Sequence, residues 1–517
     1  MTSRPDQTIR RQAHRVLMPS FHGTALPAWM RTRIGEGLGS VCLFGTNLTG
    51  DDAQAAELVA QIHAASPDGV LVTLDEEGGD VTRLDARRGG RTAGHAVLGA
   101  VDDVDLTQAV AAGIGKRLRD IGIDLDLGPV ADVNCEPDNP VIGVRSFGAT
   151  PDRVARHTVA FSAGLHSAGV AACIKHFPGH GATVEDSHLA MPRLDIGLST
   201  ARERELVPFA AAVAAGVPAV MTSHVVLSAV DPANPATTSP EVLGILRHEL
   251  GFTGVIVTDA LDMAGVARPY GGPGRAAVAA LAAGADLLCI GPERASGEME
   301  PVLAWVVDDI VAAVADGRLP AERLADAASR VETLVTAVRS GRLSAMRDAS
   351  TAAVPGEANR QAARAALRAQ GTVNHWDPKN VLVLEFHVTP GIAAGEVPWT
   401  LPLEDARKHA LSPADDRAAI DAHLAGAGEQ SLVALVRDAH RHPWVADRLE
   451  QIARVRPDLI TVETGWPVVD AEGTPTGLPG AATIWTYGGS SVSLQAAAQW
   501  LGTELGPELG LELGGIR

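Results

Sequence analysis

The sequence predicts an α/β chain in which a (β/α)8, TIM-like barrel is followed by a smaller α/β domain built on an open sheet. Three observations carry that prediction. Eight short, nearly continuous apolar runs recur across roughly the first 300 residues, as a parallel sheet covered on both faces requires. The stretches between them place apolar residues three and four apart, as amphipathic helices do. Polar, titratable residues gather at one end of run after run, where a barrel keeps its chemistry.

In chain order the runs are Val16–Met18, Ser40–Phe44, Val70–Leu74, Ile123–Leu127 leading to Val130, Ala171–Ile174, Val217–Met221, Val255–Thr258 and Leu287–Ile290. Leu106–Ile121 and Ala201–Ala215 are typical of the helical connections. An open doubly wound sheet would satisfy the same alternation and stays open as the alternative. The C-terminal ends of the runs read Asp75-Glu76-Glu77, Asp132, Lys175-His176, Ser223-His224 and Asp259, while their N-terminal ends are small or turn-forming. Packing does not explain that asymmetry. A helix over Glu322–Ser340, with Leu324, Ala328, Val331, Val335 and Val338 on one stripe, closes the first unit.

These signals divide the chain into a barrel at 1–345, a connector at 346–378, a second domain at 379–503 and a tail at 504–517. The connector holds an alanine- and arginine-rich helical stretch at Asn359–Ala369. The second domain shows strand runs at Val381–Leu384, Leu432–Val436, Leu459–Val462 and Ala482–Trp485 with helical segments between them. The tail repeats Glu-Leu-Gly three times, a low-complexity pattern expected to fray.

Composition narrows the function. The 517 residues are 46% hydrophobic and 20% charged, a globular balance, and two domains are the natural division at this length. A formal net charge of -19 speaks against nucleic acid and anionic membrane as partners. Met1–Arg15 lacks the apolar core of a secretory signal, and no apolar run approaches the ~20 residues that span a bilayer. Cys42, Cys135, Cys173 and Cys289 are far apart, and three sit in apolar runs, so they read as reduced core cysteines. A cytoplasmic address is expected. The pattern points to no cofactor.

The densest chemistry is Lys175 to His188, reading K-H-F-P-G-H-G-A-T-V-E-D-S-H. It begins where an apolar strand ends and continues into a loop that glycine leaves free to bend. Asp186 two residues before His188 could orient the ring and stabilise its protonated form, which suits general acid and base work. The plain alternative is a polar loop. His176, His180 and His188 also admit a reading as metal ligands, in a metal-dependent barrel hydrolase. Lys175 would repel a cation, and the early His-x-His of such barrels is missing. Asp259 directly follows Gly254–Thr258. It would serve there as a helix N-cap or as a nucleophile. Carboxylates beside Arg and Lys at a barrel mouth match the fixed donor and acceptor directions of sugar hydroxyls. With eight Trp, eight Phe and two Tyr, the chain has little material for a long aromatic cleft and suits a pocket for one terminal sugar.

At these residues the sequence resembles glycoside hydrolase family 3, within it the β-N-acetylglucosaminidase branch. The Lys175–His188 segment resembles that branch's signature, including its histidine-bearing loop. The likeness continues through L-M-P-S-F-H-G, V-C-L-F-G-T-N, L-D-E-E-G-G-D-V-T-R-L, N-P-V-I-G-V-R-S-F-G, M-T-S-H-V and V-I-V-T-D-A-L-D-M, over most of residues 12 to 340. The resemblance implies that Asp259 is the catalytic nucleophile, His188 the acid/base and Asp186 its partner. It implies that Asp75, Arg83, Arg145, Lys175 and His176 bind the nonreducing-end sugar, with His224 and Met263 near it. Ala182 stands where many relatives have Asp, and Glu76 where Gln is commoner.

The expected activity is a retaining exo-β-N-acetylglucosaminidase acting on a small carbohydrate, such as a cell-wall or chitin fragment, without a metal. A histidine in place of the second carboxylate repels an incoming anion less, so phosphate is an alternative acceptor and phosphorolysis a second expected activity. A noncatalytic sugar-binding protein is a third reading, set aside because a binder needs no nucleophile. Oligomeric state is left open.

Overall fold

The computed structural model describes residues 4–185, 191–291, 299–342, 355–374, 376–389, 391, 393–395, 399–470 and 473–503. The eight apolar runs form eight strands: β1 Leu17–Pro19, β2 Ser40–Cys42, β3 Leu71–Leu74, β4 Leu125–Asp126, β5 Ala171–Phe177, β6 Ala219–Thr222, β7 Val255–Val257 and β8 Leu288–Ile290. Parallel ladders join β2, β3, β4, β5, β6 and β7 in chain order, and β8 pairs with β1. A bridge from Val257 to Leu287 links β7 to the start of β8, and β1 lies beside β2, so the sheet curls into a barrel. Every residue of these strands is buried, which is why each reads as an unbroken apolar run rather than an alternating one.

The barrel interior is packed by Met18, Leu71, Leu125, Ala171 and Val255, among others. The helix Ala321–Arg339 plugs its lower end, with Val331, Leu334, Val335 and Val338 in the same cluster. Of the stripe read from the sequence, Val331, Val335 and Val338 form the plug, while Leu324 and Ala328 pack into the larger core. The helical reading of Ala201–Ala215 divides in the structure into Leu198–Glu203 and Leu206–Ala214.

The second sheet has six strands: β9 Arg368–Gly371, β10 Val381–Phe386, β11 Arg407–Leu411, β12 Ser431–Val436, β13 Ile460–Glu463 and β14 Ala482–Trp485. Their order is β9-β14-β13-β12-β10-β11, parallel except for β9 against β14. The four runs read from sequence are the four inner strands. Both edges escaped, because β9 (Arg-Ala-Gln-Gly) and β11 (Arg-Lys-His-Ala-Leu) keep charged and polar residues towards solvent, as edge strands do. β9 falls inside the stretch read as connector. The preceding helix, Pro355–Ala366, packs against the barrel, where Asn359 Oδ1 accepts from the Ala93 N–H at 2.8 Å. The Glu-Leu-Gly tail lies outside the described residues.

Candidate active site

The C-terminal ends of β2 to β8 surround a pocket of about 220 Å³. That is below the usual size for drug-like ligands and suits a single ring. Asp75, Lys175 and Asp259 reach it from β3, β5 and β7 because a parallel barrel points all its carboxyl ends one way.

β3 delivers Asp75, and the chain then folds back as a hairpin, Glu76–Gly78 against Val81–Thr82. The turn needs glycine. Gly79 has φ +64°, and a Cβ there would lie 2.6 Å from Gly94 Cα. The hairpin aims Asp75 and Glu77 at cations from two other places. Lys175, from β5, puts Nζ 2.7 Å from Asp75 Oδ1 and 2.8 Å from Glu77 Oε1. Arg145 grips Glu77 with two bonds, Nε to Oε2 at 2.9 Å and Nη2 to Oε1 at 2.7 Å. Arg83 donates Nη2 to Asp75 Oδ2 at 3.0 Å.

Burial alone would push both carboxyls up. Lys175 and Arg83 instead hold Asp75 down at about 2, and Arg145 and Lys175 hold Glu77 well below its ordinary range. Both stay ionised at neutral pH. Glu76, by contrast, points away from the pocket. Burial raises it to about 7, although its Oε2 accepts from the N–H groups of Arg83 and Leu84.

His176 is oriented from behind. Its Nδ1 lies 2.7 Å from Asp132 Oδ2, the residue that follows Val130 and Ala131 beyond β4. With that nitrogen donating, Nε2 is left as an acceptor facing Arg145 Nη2 at 3.4 Å. Asp132 Oδ1 also accepts from the His180 N–H at 2.8 Å, so one buried carboxylate fixes both the imidazole and the start of the following loop. Asn139 holds that loop from the other side, donating Nδ2 to the carbonyls of His180 (2.8 Å) and Thr183 (2.9 Å). The loop therefore leaves the barrel from a fixed base, and Val184 and Glu185 are exposed.

Asp259 enters the pocket from the end of β7, with Oδ1 accepting from the Ala260 N–H at 2.8 Å. Met263 lines the same wall. Asp75, Arg83, Arg145, Lys175, His176, Asp259 and Met263 are thus brought together. His224 is not among the lining residues: Nδ1 meets Thr237 Oγ1 and Nε2 meets the Ala260 carbonyl, both at 2.9 Å, so it braces the turn behind Asp259. Asp186 and His188 lie outside the described residues. Among the described residues no group of three or more His, Cys, Asp or Glu is arranged to hold a metal ion.

Sequence reasoning gave no role to Glu77 and Asp132, though both stood in the strand-end pattern and could have been taken from it. Nothing in the sequence signalled Ala393. It comes from the second domain, lines the pocket, and accepts Arg83 Nη1 on its carbonyl at 3.0 Å. The second domain also grips the hairpin itself. Arg437 Nη1 lies 2.5 Å from Asp80 Oδ2, and the Gly489 N–H donates to Asp80 Oδ1 at 2.7 Å. The Arg437 guanidinium in turn rests 4.3 Å from the centre of the Trp399 ring.

With this geometry in hand, similarity to known proteins has a definite meaning. The family model for the glycosyl hydrolase family 3 N-terminal domain matches residues 31–334. A β-hexosaminidase from Nitrosomonas eutropha is 38% identical over 301 residues, which is 56% of this chain and 84% of that protein. β-Hexosaminidase A from Pseudoalteromonas piscicida is 33% identical over 335 residues, 60% of this chain, and the match spans only 55% of that protein's length. The solved structure of a glycoside hydrolase family 3 β-N-acetylglucosaminidase from Paenibacillus sp. str. FPU-7 superposes on 97% of this chain and 97% of its own, at 30% identity and a TM-score of 0.83.

Proposed function

The chain belongs to glycoside hydrolase family 3, and from that premise we propose that it is a retaining, exo-acting β-N-acetylglucosaminidase. The observation that carries the reading is the placement of Asp259 in the same small pocket as the Asp75–Lys175–Glu77–Arg145 network. That network presents ionised acceptors and donors in fixed directions, as the hydroxyls of one sugar ring require. Its charges also balance. Asp75, Glu77 and Asp259 face Lys175, Arg145 and Arg83, which favours an uncharged polyhydroxyl ligand over one held by its charge.

In this reading Asp259 attacks the anomeric carbon and forms a covalent glycosyl-enzyme, which water then opens with a second inversion. His188, steered by Asp186, protonates the departing oxygen and then takes the proton from water. Asn139 and Asp132 anchor the loop that leads to this pair. Cell-wall or chitin fragments in the cytoplasm complete the proposal. The supporting facts are that the relatives named above carry the hexosaminidase and β-N-acetylglucosaminidase names, and that Cys42, Cys173 and Cys289 are buried and unpaired.

Proton NMR of an aryl β-N-acetylglucosaminide reaction, followed from its first minutes, tests the reading. The β-anomer of N-acetylglucosamine is expected first, and Asp259→Ala is expected to abolish turnover. An α-anomer as first product, or normal turnover by the variant, would discard the mechanism. Repeating the reaction in phosphate tests the acceptor: a sugar 1-phosphate as main product would replace hydrolysis with phosphorolysis.

A further inference from the structure

Four sulfur-bearing residues line the pocket. Cys42 ends β2 and Cys289 sits in the middle of β8, on either side of β1, and both side chains face the barrel interior. Both line the pocket that Asp259 enters, together with the thioethers of Met221 and Met263. Both are free cysteines, and both belong to the buried cluster that fills the barrel interior. The mechanism above uses neither of them.

We propose that Cys42 and Cys289 form a binding site for one soft d10 cation, of the Cu(I) and Ag(I) class, and that its occupation blocks the sugar pocket. Soft thiolate and thioether donors select such ions over magnesium, calcium or manganese. Two thiolates suffice for an ion that accepts linear coordination, whereas zinc takes four ligands and has no such set among the described residues. Met221 and Met263 stand within the same pocket as further soft donors.

The step balances without an oxidant. Two S–H bonds break, two S–metal bonds form, and two protons leave to solvent, so that a monovalent ion yields a bis-thiolate with one negative charge. A soft cation needs no thiolate formed in advance, because it displaces the thiol protons as it binds.

Silver nitrate in a chloride-free buffer is the probe. In the wild-type chain Ag(I) is expected to inhibit, and a competitive sugar is expected to protect. Cys42→Ser and Cys289→Ser should each raise the half-inhibitory silver concentration by at least about tenfold, the loss already seen when a mere supporting contact to a metal ligand is removed. Cys135→Ser, outside the pocket, should behave as wild type. Equal sensitivity in all three variants overturns the proposal. A silver-soaked crystal of the wild-type chain gives a second readout that needs neither folded variants nor activity. An anomalous peak between the two Sγ atoms supports the site, and peaks only elsewhere refute it. This readout is blind to which sugar is cleaved and to whether Asp259 attacks it, so it fails or holds apart from the reading of function.

Discussion

The two sheets end alike and use their ends differently. At the barrel mouth, Asp75, Glu77 and Asp259 follow strands and face a cavity, the first two held by side-chain cations and Asp259 by the Ala260 N–H. In the second sheet, Glu463 ends β13 and Asp438 follows β12 at the same topological position, yet backbone N–H groups take both Glu463 oxygens and Asp438 Oδ1, and only Asp438 Oδ2 faces cations, Arg437 and Arg441 at 3.7 Å. Glu463 accepts from the N–H groups of Asp438 and Gly465 on Oε1 and of Ala439 on Oε2, and Asp438 accepts from Trp466. Arg437, next in line, reaches across to Asp80 of the barrel. Carboxylates at the carboxyl edge of a parallel sheet are thus not by themselves a site. They become one when they keep a face towards empty space; when backbone N–H groups take up their oxygens, as at Glu463, they build a joint.

The sharpest way to break that contrast is to remove the central cation. Lys175 is buried between two carboxylates, and Lys175→Ala leaves both without their shared partner. Breaking a buried pair by deleting one member costs about 3–5 kcal/mol, so urea unfolding should show a loss of that size along with lost turnover. A stability change under about 1 kcal/mol would mean that the network is far more hydrated than its burial implies.

Acid should act on the mouth next. Asp75 stands at about 2 in the folded chain against an ordinary 3.8, so the unfolded chain binds the proton more readily. The stability it contributes, about 2 kcal/mol, is complete above its ordinary value and is lost as pH falls from about 4 towards 2. Asp75→Asn should flatten that part of a stability–pH curve. Glu76 works in the other direction: raised from an ordinary 4.5 to about 7, it weakens the fold as pH rises through that window. Glu76→Gln, which keeps an acceptor for the Arg83 and Leu84 N–H groups, should remove the decline, as read by thermal melts at pH 5 and pH 8.

Arg437→Ala tests whether the joint reports to the site. Asp80 keeps its bond from Gly489 but loses its ion pair, for an expected loss of about 2 kcal/mol. Because Asp80 lies on the hairpin that carries Glu77, KM should rise by about tenfold with a smaller change in kcat, and Asp80→Asn in the same chain should recover part of it. Unchanged KM would reduce the contact to scaffolding. The smallest effect belongs to Glu463→Gln. One N–H loses its acceptor, costing about 1–2 kcal/mol in melts, and kcat/KM should stay near wild type.

The same contrast explains what the sequence disclosed. The eight barrel strands were legible because burial on both faces makes most of their residues apolar. Asp75, Lys175 and Asp259 were legible because their strand ends carried charge where packing has no use for it. β9 and β11 were hidden by the polar residues that protect an edge. Glu77 and Asp132 stood in plain view, but only distances distinguish a residue that faces the ligand from one that holds its neighbour. Ala393 had no signature, since it contributes a wall and a carbonyl that any residue possesses.

A single carboxylate, Asp80, is grasped from the far side of the joint while its hairpin shapes the sugar pocket. The two bodies therefore cannot slide apart without slackening the grip on a bound ring. On heating, catalysis should fade at undocking, a few degrees before either hydrophobic core melts, so a calorimetric scan and an activity scan of one sample are expected not to coincide.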